Sequence, residues 1–149
     1  MQSVSVAALI AALVTLVAVT MRSRRPEPPT QARTGPPQQL DRADFPRSGA
    51  PWLAVLFVSE TCHTCADLIP KVEMLGSADV AVLVASFQTH KVLHERYAID
   101  SVPTTVLADA DGEVRKAFVG PVSATDLWAA MAELREPGST PPPEAHQPG

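Results

Sequence analysis

Cysteine is scarce in this chain: two in 149 residues, Cys62 and Cys65, three positions apart. Two thiols cannot build the multi-bridge framework of a small secreted scaffold. A bridge between them would close so short a loop that it would constrain the unfolded chain very little. The pair therefore points to chemistry rather than stapling. Basic residues are also few, 12 Lys and Arg against 16 Asp and Glu, for a net charge of −4. With no basic face in the globular part, nucleic acid is excluded as a partner. There is no internal repeat, which sets aside repeat architectures. What the chain does have is apolar residue, 46% of the total, and a length that suits one domain with appendages.

Twelve of the 15 prolines gather between residues 26 and 51 and again from 137 to 148, which marks extended flanks around one folded unit. From Val4 to Met21 the chain runs 18 residues without charge, Pro or Gly. As a helix rising about 1.5 Å per residue, this run covers roughly 27 Å, close to a bilayer core. A buried globular helix fits poorly with an all-round apolar run ending in Arg22, Arg24 and Arg25. A cleaved signal peptide would want a positive n-region, which Met1 to Ser3 lack, and Ala18-Val19-Thr20 is a weak cleavage site. Residues 1–21 are thus read as a single-pass transmembrane anchor in the cell membrane. Arg22, Arg24, Arg25 and Arg33 follow the run and no Lys or Arg precedes it. The positive-inside bias then favours the cytoplasmic side for the remainder over the extracytoplasmic side. Residues 22–39 read as a Pro-rich linker, 40–136 as the folded domain, and 137–149 as a polar, disordered tail.

Within the domain, residues 52–58 (WLAVLFV) form the unbroken apolar run of a strand buried on both faces. Helical spacing runs from Cys62 to about Leu75, with Gly76 as its stop. Val80 to Ala85 is a second buried strand, and Thr89 to Tyr97 a short helix. A strand from Thr104 to Ala108 follows Pro103. Asp111-Gly112 signals a two-residue hairpin leading to Val114–Val119. Ser123 starts a last helix with Leu127, Ala130, Met131 and Leu134 on one stripe, and Pro137 stops it. Trp52 and Trp128 read as core or boundary aromatics. The order describes an α/β unit with helices on both faces of a sheet.

Thr61-Cys62-His63-Thr64-Cys65 sits after a buried strand and opens a helix. The first turn of a helix carries unpaired N–H groups and partial positive charge, which favour thiolate over thiol. Thiolate is the nucleophile of disulfide exchange. Cys62, at the helix start, would attack first, and Cys65, one turn on, would resolve the mixed disulfide. His63, if protonated, favours the thiolate further; alternatively it is an exposed spacer. Thr61 is a candidate helix cap. C-x-x-C also occurs in zinc sites, and His63, His90 and His94 would be the extra ligands for zinc or copper. His90 and His94, at i and i+4, read more simply as a solvated surface, and no metal or cofactor is assigned.

These features resemble the thioredoxin family over about Leu40 to Leu134. Phe57 and Glu60 precede the motif, Pro70 follows Cys65 by five residues, and Tyr97-Ala98-Ile99-Asp100-Ser101-Val102-Pro103-Thr104 is similar to the family's Y-x-I-x-x-x-P-T segment. Asp111-Gly112-Glu113-Val114 resembles its hairpin, and Val119-Gly120 its glycine after the last strand. The resemblance implies a thioredoxin-like fold, a central mixed sheet with helices on both faces. It implies a cis bond before Pro103, with Val102 and Pro103 beside the cysteines, where Val102 offers backbone hydrogen bonds to an extended substrate. It also implies protein thiols or disulfides as substrates and an unidentified redox-recycling partner. Three positions depart from the family: Thr61 replaces its Trp, His63-Thr64 its Gly-Pro, and Leu56 its buried Asp that assists proton transfer from the second cysteine. Glu60 and Asp67 are candidate substitutes for that Asp. In these departures the chain looks more like membrane-anchored thioredoxin-like proteins of high-GC bacteria than a general thioredoxin. The main expectation is a thiol–disulfide oxidoreductase, its direction open. The alternatives are a non-catalytic thioredoxin-fold module that binds a protein partner or Cu/Zn, and an anchored assembly protein with incidental cysteines.

Overall fold

The computed structural model describes residues 35–139. The expected anchor, most of the linker and the tail from 140 lie outside the described residues. Among the described residues no helix is long and apolar enough to cross a membrane.

After a 3-10 turn at Arg42–Asp44 the elements are β1 (Trp52–Val58), α1 (His63–Glu73), β2 (Val80–Ser86), α2 (Lys91–Arg96), β3 (Thr104–Ala108), β4 (Val114–Val119) and α3 (Ala124–Arg135). The strands form one mixed sheet ordered β2-β1-β3-β4. β1 and β2 are parallel, joined by the α1 crossover that a parallel pair requires; β1–β3 and β3–β4 are antiparallel. β1 is central, and every residue from Leu53 to Val58 is buried. Its side chains alternate between two layers. Ala54, Leu56 and Val58 join Leu68 and Val72 of α1 and Leu127 and Met131 of α3. Leu53, Val55 and Phe57 join Phe45 and Tyr97, with Leu93 of α2 packed alongside. Pro70 lies inside α1; lacking an N–H, it leaves the Ala66 carbonyl without its intrahelical donor. Ser123 caps α3 by accepting the Asp126 N–H at 3.0 Å.

Three expectations shift. The second helix is shorter than Thr89–Tyr97, because the Thr89 and His90 amides are both taken by the Ser86 carbonyl (3.1 and 2.7 Å) in a turn leaving β2. Its far end is closed by Tyr97 as C-cap, followed by Ala98 at φ 51°. The β3–β4 connection spans residues 109–113 rather than two residues. Asp109 organises it, accepting the Asp111 and Glu113 amides at 3.0 Å each. Gly112, at φ +79°, is needed there twice over, since a Cβ would also strike the Leu40 carbonyl. Finally, Gln38 and Gln39, read from composition as the end of the linker, belong to the folded unit. Val114 donates to the Gln38 carbonyl (3.0 Å), Leu40 donates to the Gly112 carbonyl (2.8 Å), and Gln39 bridges Glu113.

Candidate active site

The site is built where β1 ends. Val58 passes its carbonyl to the Phe87 N–H (2.8 Å), the chain turns through Ser59–Thr61, and Cys62 donates its N–H to the Ser59 carbonyl (3.0 Å). Cys62 occupies the N-cap of α1 in extended backbone geometry, without a side-chain capping bond. Thr61 therefore does not cap the helix. Its hydroxyl pairs instead with Ser59 Oγ at 3.1 Å, because the turn before Cys62 places the first helical residue one position later. No acidic residue lies in the first turn of α1, so no side chain of that turn offsets its partial positive charge.

Cys62 and Cys65 are joined by a disulfide, with their Cα atoms 5.4 Å apart. Cys65 is 2% exposed and packs into the layer under α1 and α3, whereas Cys62 lies half-buried at the margin of that layer. His63 and Thr64 are exposed, and Thr64 Oγ1 lies 3.6 Å from Cys62 Sγ. An accessible sulfur at the helix cap, backed by a buried one a turn later, suits attack followed by intramolecular resolution.

The Val102–Pro103 peptide bond is cis. Val102 is half-buried and packs against the layer that contains Cys65, so the segment borders the same cluster as Cys62. Pro103 is buried, and its carbonyl accepts the Gly120 N–H at 2.8 Å. A cavity of about 390 Å³ lies beside this segment, lined in part by Ser101, Thr104 and Val119.

The histidine pair is not a solvated face. His94 is 3% exposed, with Nε2 2.8 Å from the Ala85 carbonyl and its ring edge-on to Phe57 and Phe87. The short α2 packs that side of the helix onto β2, so the i, i+4 spacing straddles the boundary, and His90 is instead the N-cap, bound to Thr89 Oγ1. Among the described residues no group of three His, Cys, Asp or Glu side chains could hold a metal. Leu56 is fully buried, and the candidate substitutes Glu60 and Asp67 are both exposed.

One residue escaped sequence reasoning. Gln88 accepts the Glu60 N–H (3.1 Å) and the Ser86 hydroxyl (2.8 Å), and donates to Ser59 Oγ (3.3 Å). It ties the end of β2 to the turn that delivers Cys62. No local pattern marks it, because only the β1–β2 register, with Val58 opposite Ser86, brings the two segments together.

Against known proteins, residues 38–135 match the family model of a thioredoxin-like domain. The chain belongs to that thioredoxin-like family. This thioredoxin-like domain is similar in structure to a mutant thioredoxin from Halobacterium salinarum, at 26% identity and a TM-score of 0.53, covering 68% of this chain and 95% of that one. It shares its fold with the germline-specific thioredoxin Deadhead from Drosophila melanogaster, at 24% identity and a TM-score of 0.51, covering 58% of this chain and 84% of that one. No curated protein matches the chain in sequence.

Proposed function

We propose that this thioredoxin-like protein is a thiol–disulfide oxidoreductase acting on protein thiols or disulfides. The observation that supports it is the half-buried Cys62 at the cap of α1, bonded to a buried Cys65 one turn on. In the reducing direction, the Cys62 thiolate attacks a substrate disulfide, forming a mixed disulfide and expelling one substrate thiolate, which takes up a proton. Cys65 then attacks Cys62 Sγ, forming the Cys62–Cys65 bond and releasing the second substrate thiol. The substrate gains two electrons and the cysteine pair loses two; the oxidising direction is the reverse. His63, when protonated, favours the Cys62 thiolate, Thr61 steadies the turn before it, and Val102 and Pro103 receive the substrate backbone. The recycling partner is a second thiol or disulfide protein.

In this reading the chain is one of the membrane-anchored thioredoxin-like proteins of high-GC bacteria. Residues 1–21 span the cell membrane, and the flanking arginines favour a cytoplasmic domain. Labelling Cys62 with a membrane-impermeant maleimide in intact cells, after the Cys62–Cys65 disulfide has been opened with a membrane-permeant reductant, tests this side: protection that is lost on cell lysis supports it, and labelling in intact cells reverses it.

A second reading, a thioredoxin-fold binding module without turnover, draws on Leu56, which among the described residues leaves no buried carboxylate in the layer of Cys65. Insulin reduction and a glutathione redox titration decide between them. Wild type should turn over, Cys62→Ser should lose at least 1,000-fold of activity on the order expected for loss of a nucleophile, and Cys65→Ser should accumulate mixed disulfide. A wild type inert with every reductant and oxidant would move the binding module to the front. A potential near about −270 mV supports a reductase, and one nearer about −120 mV an oxidant.

A further inference from the structure

Buried hydroxyls normally find a partner. Thr105 is an exception: it is 0% exposed, and its Oγ1 has no hydrogen-bond partner. The sheet register says where that hydroxyl lies. Thr105 stands opposite Leu56 of β1 and Phe118 of β4, and residues directly opposite in a ladder share a face. Leu56 and Phe118 both pack in the layer under α1 and α3, the layer that takes in Cys65.

That layer is otherwise apolar. The buried polar side chains among the described residues are Arg42, His94, Thr104 and Thr105. Thr104 stands opposite Phe57, His94 meets the Phe57 ring, and Arg42 bonds the Ala50 carbonyl. Phe57 and Ala50 belong to the opposite layer. Thr105 is therefore the one buried polar side chain on the Cys65 side among the described residues. Valine has the same shape and would fill the position without an unpaired hydroxyl, whose burial is destabilising.

The resolving step supplies a use. Burial in apolar surroundings disfavours a thiolate, yet Cys65 must become one, and among the described residues no carboxylate is buried in its layer. Resting on the oxidoreductase reading above, we propose that the Thr105 hydroxyl donates a hydrogen bond to Cys65 Sγ once the disulfide is open, and so stabilises the resolving thiolate. Cys65 gives up its thiol proton, and its sulfur lone pair forms the bond to Cys62 Sγ. The bond from Cys62 to the substrate sulfur breaks, and that sulfur leaves with the electron pair and takes up a proton. Thr105 keeps its own proton throughout.

The test uses the full chain as wild type, Thr105→Val and Thr105→Ser. The Cys65 titration is followed by Cβ NMR in the reduced protein, and product release from a mixed disulfide by stopped flow. Thr105→Val should raise the Cys65 pKa by about one, and slow release about tenfold, the equivalent of one hydrogen bond to a charged group. Cys62 alkylation should not change, and Thr105→Ser should behave as wild type. An unchanged Cys65 titration in Thr105→Val overturns the assignment, and so does a parallel change at Cys62, which would mark a general disturbance. A wild type that exchanges no disulfides would remove the functional reading alone, since the Cys65 titration needs no substrate and still decides the role of Thr105.

Discussion

On the α2 side of the sheet, polar groups are threaded through the packing, whereas on the α1–α3 side they are nearly absent. The first layer contains Tyr97, whose hydroxyl donates to the Asp44 carboxylate and accepts the Asp41 N–H at 3.0 Å. Arg96 adds contacts to Asp44 and Asp41 at 2.9 and 3.3 Å. Arg42 is buried and donates to the carbonyls of Ala50 (2.9 Å), Arg47 and Asp109 (3.3 Å each). These bonds pin the arm before β1 to the hairpin and to the end of α2. The second layer has Cys65 among Leu, Val, Ala and Met, with Thr105 as its exception. The difference separates two tasks. Directional bonds hold irregular chain in place where there is little regular structure to do so. An apolar bed surrounds the resolving sulfur, so that the few dipoles reaching it act in a low dielectric.

The largest expected break in this contrast is Leu56→Asp. A carboxyl placed in the apolar layer loses the packing of Leu and has its pKa raised by burial. Because the folded-state pKa is raised, the destabilisation grows as pH rises past the ordinary carboxylate range. Urea denaturation should show a loss of about 4 kcal/mol at pH 8 and less at pH 4. Equal stability at both pH values would mean that water reaches this layer.

Arg42→Ala should follow, with a loss of about 3 kcal/mol, because three carbonyls lose their donor at once. Burial lowers the Arg42 pKa while Asp109 opposes the change. A loss under about 0.5 kcal/mol, the level of an ordinary surface substitution, would show that the arm needs no polar anchor.

The smallest effect is Tyr97→Phe, about 1 kcal/mol by chemical denaturation near neutral pH. Burial, with the hydrogen bond to Asp44, pushes the Tyr97 phenol from 10.0 up to about 12, against the opposing pull of the Asp41 amide. Its contribution is fully present below the unfolded value. It is then lost as pH rises toward about 12, because the unfolded chain gives up the proton first. The phenylalanine variant should lack that alkaline decline; a matching decline in both proteins would assign it to other groups.

The polar layer was the harder one to read from the chain. Tyr97 is far in sequence from Arg42 and Asp44, and the residue types of all three suggest solvent as readily as a buried network. His94 misled for the same reason, since spacing alone says which residues share a helix face and not what that face meets. The apolar layer was legible because its signal is local. The run from Trp52 to Val58, the spacing of Leu68 and Val72, and the stripe through Leu127 and Met131 each mark a buried surface by period alone.

By itself the sequence determined the strand and helix order, the cysteine pair at a helix start, and the family features around Pro103. These depend on periodicity, turn residues and short-range spacing, which are properties of neighbouring residues. Tertiary structure alone decided that Cys65 is buried while Cys62 is half-exposed, that Gln88 braces the turn before Cys62, and that Thr105 faces the resolving sulfur's layer without a partner. The first depends on how α1 packs onto the sheet, and the other two on strand register, which sets which distant side chains share a face.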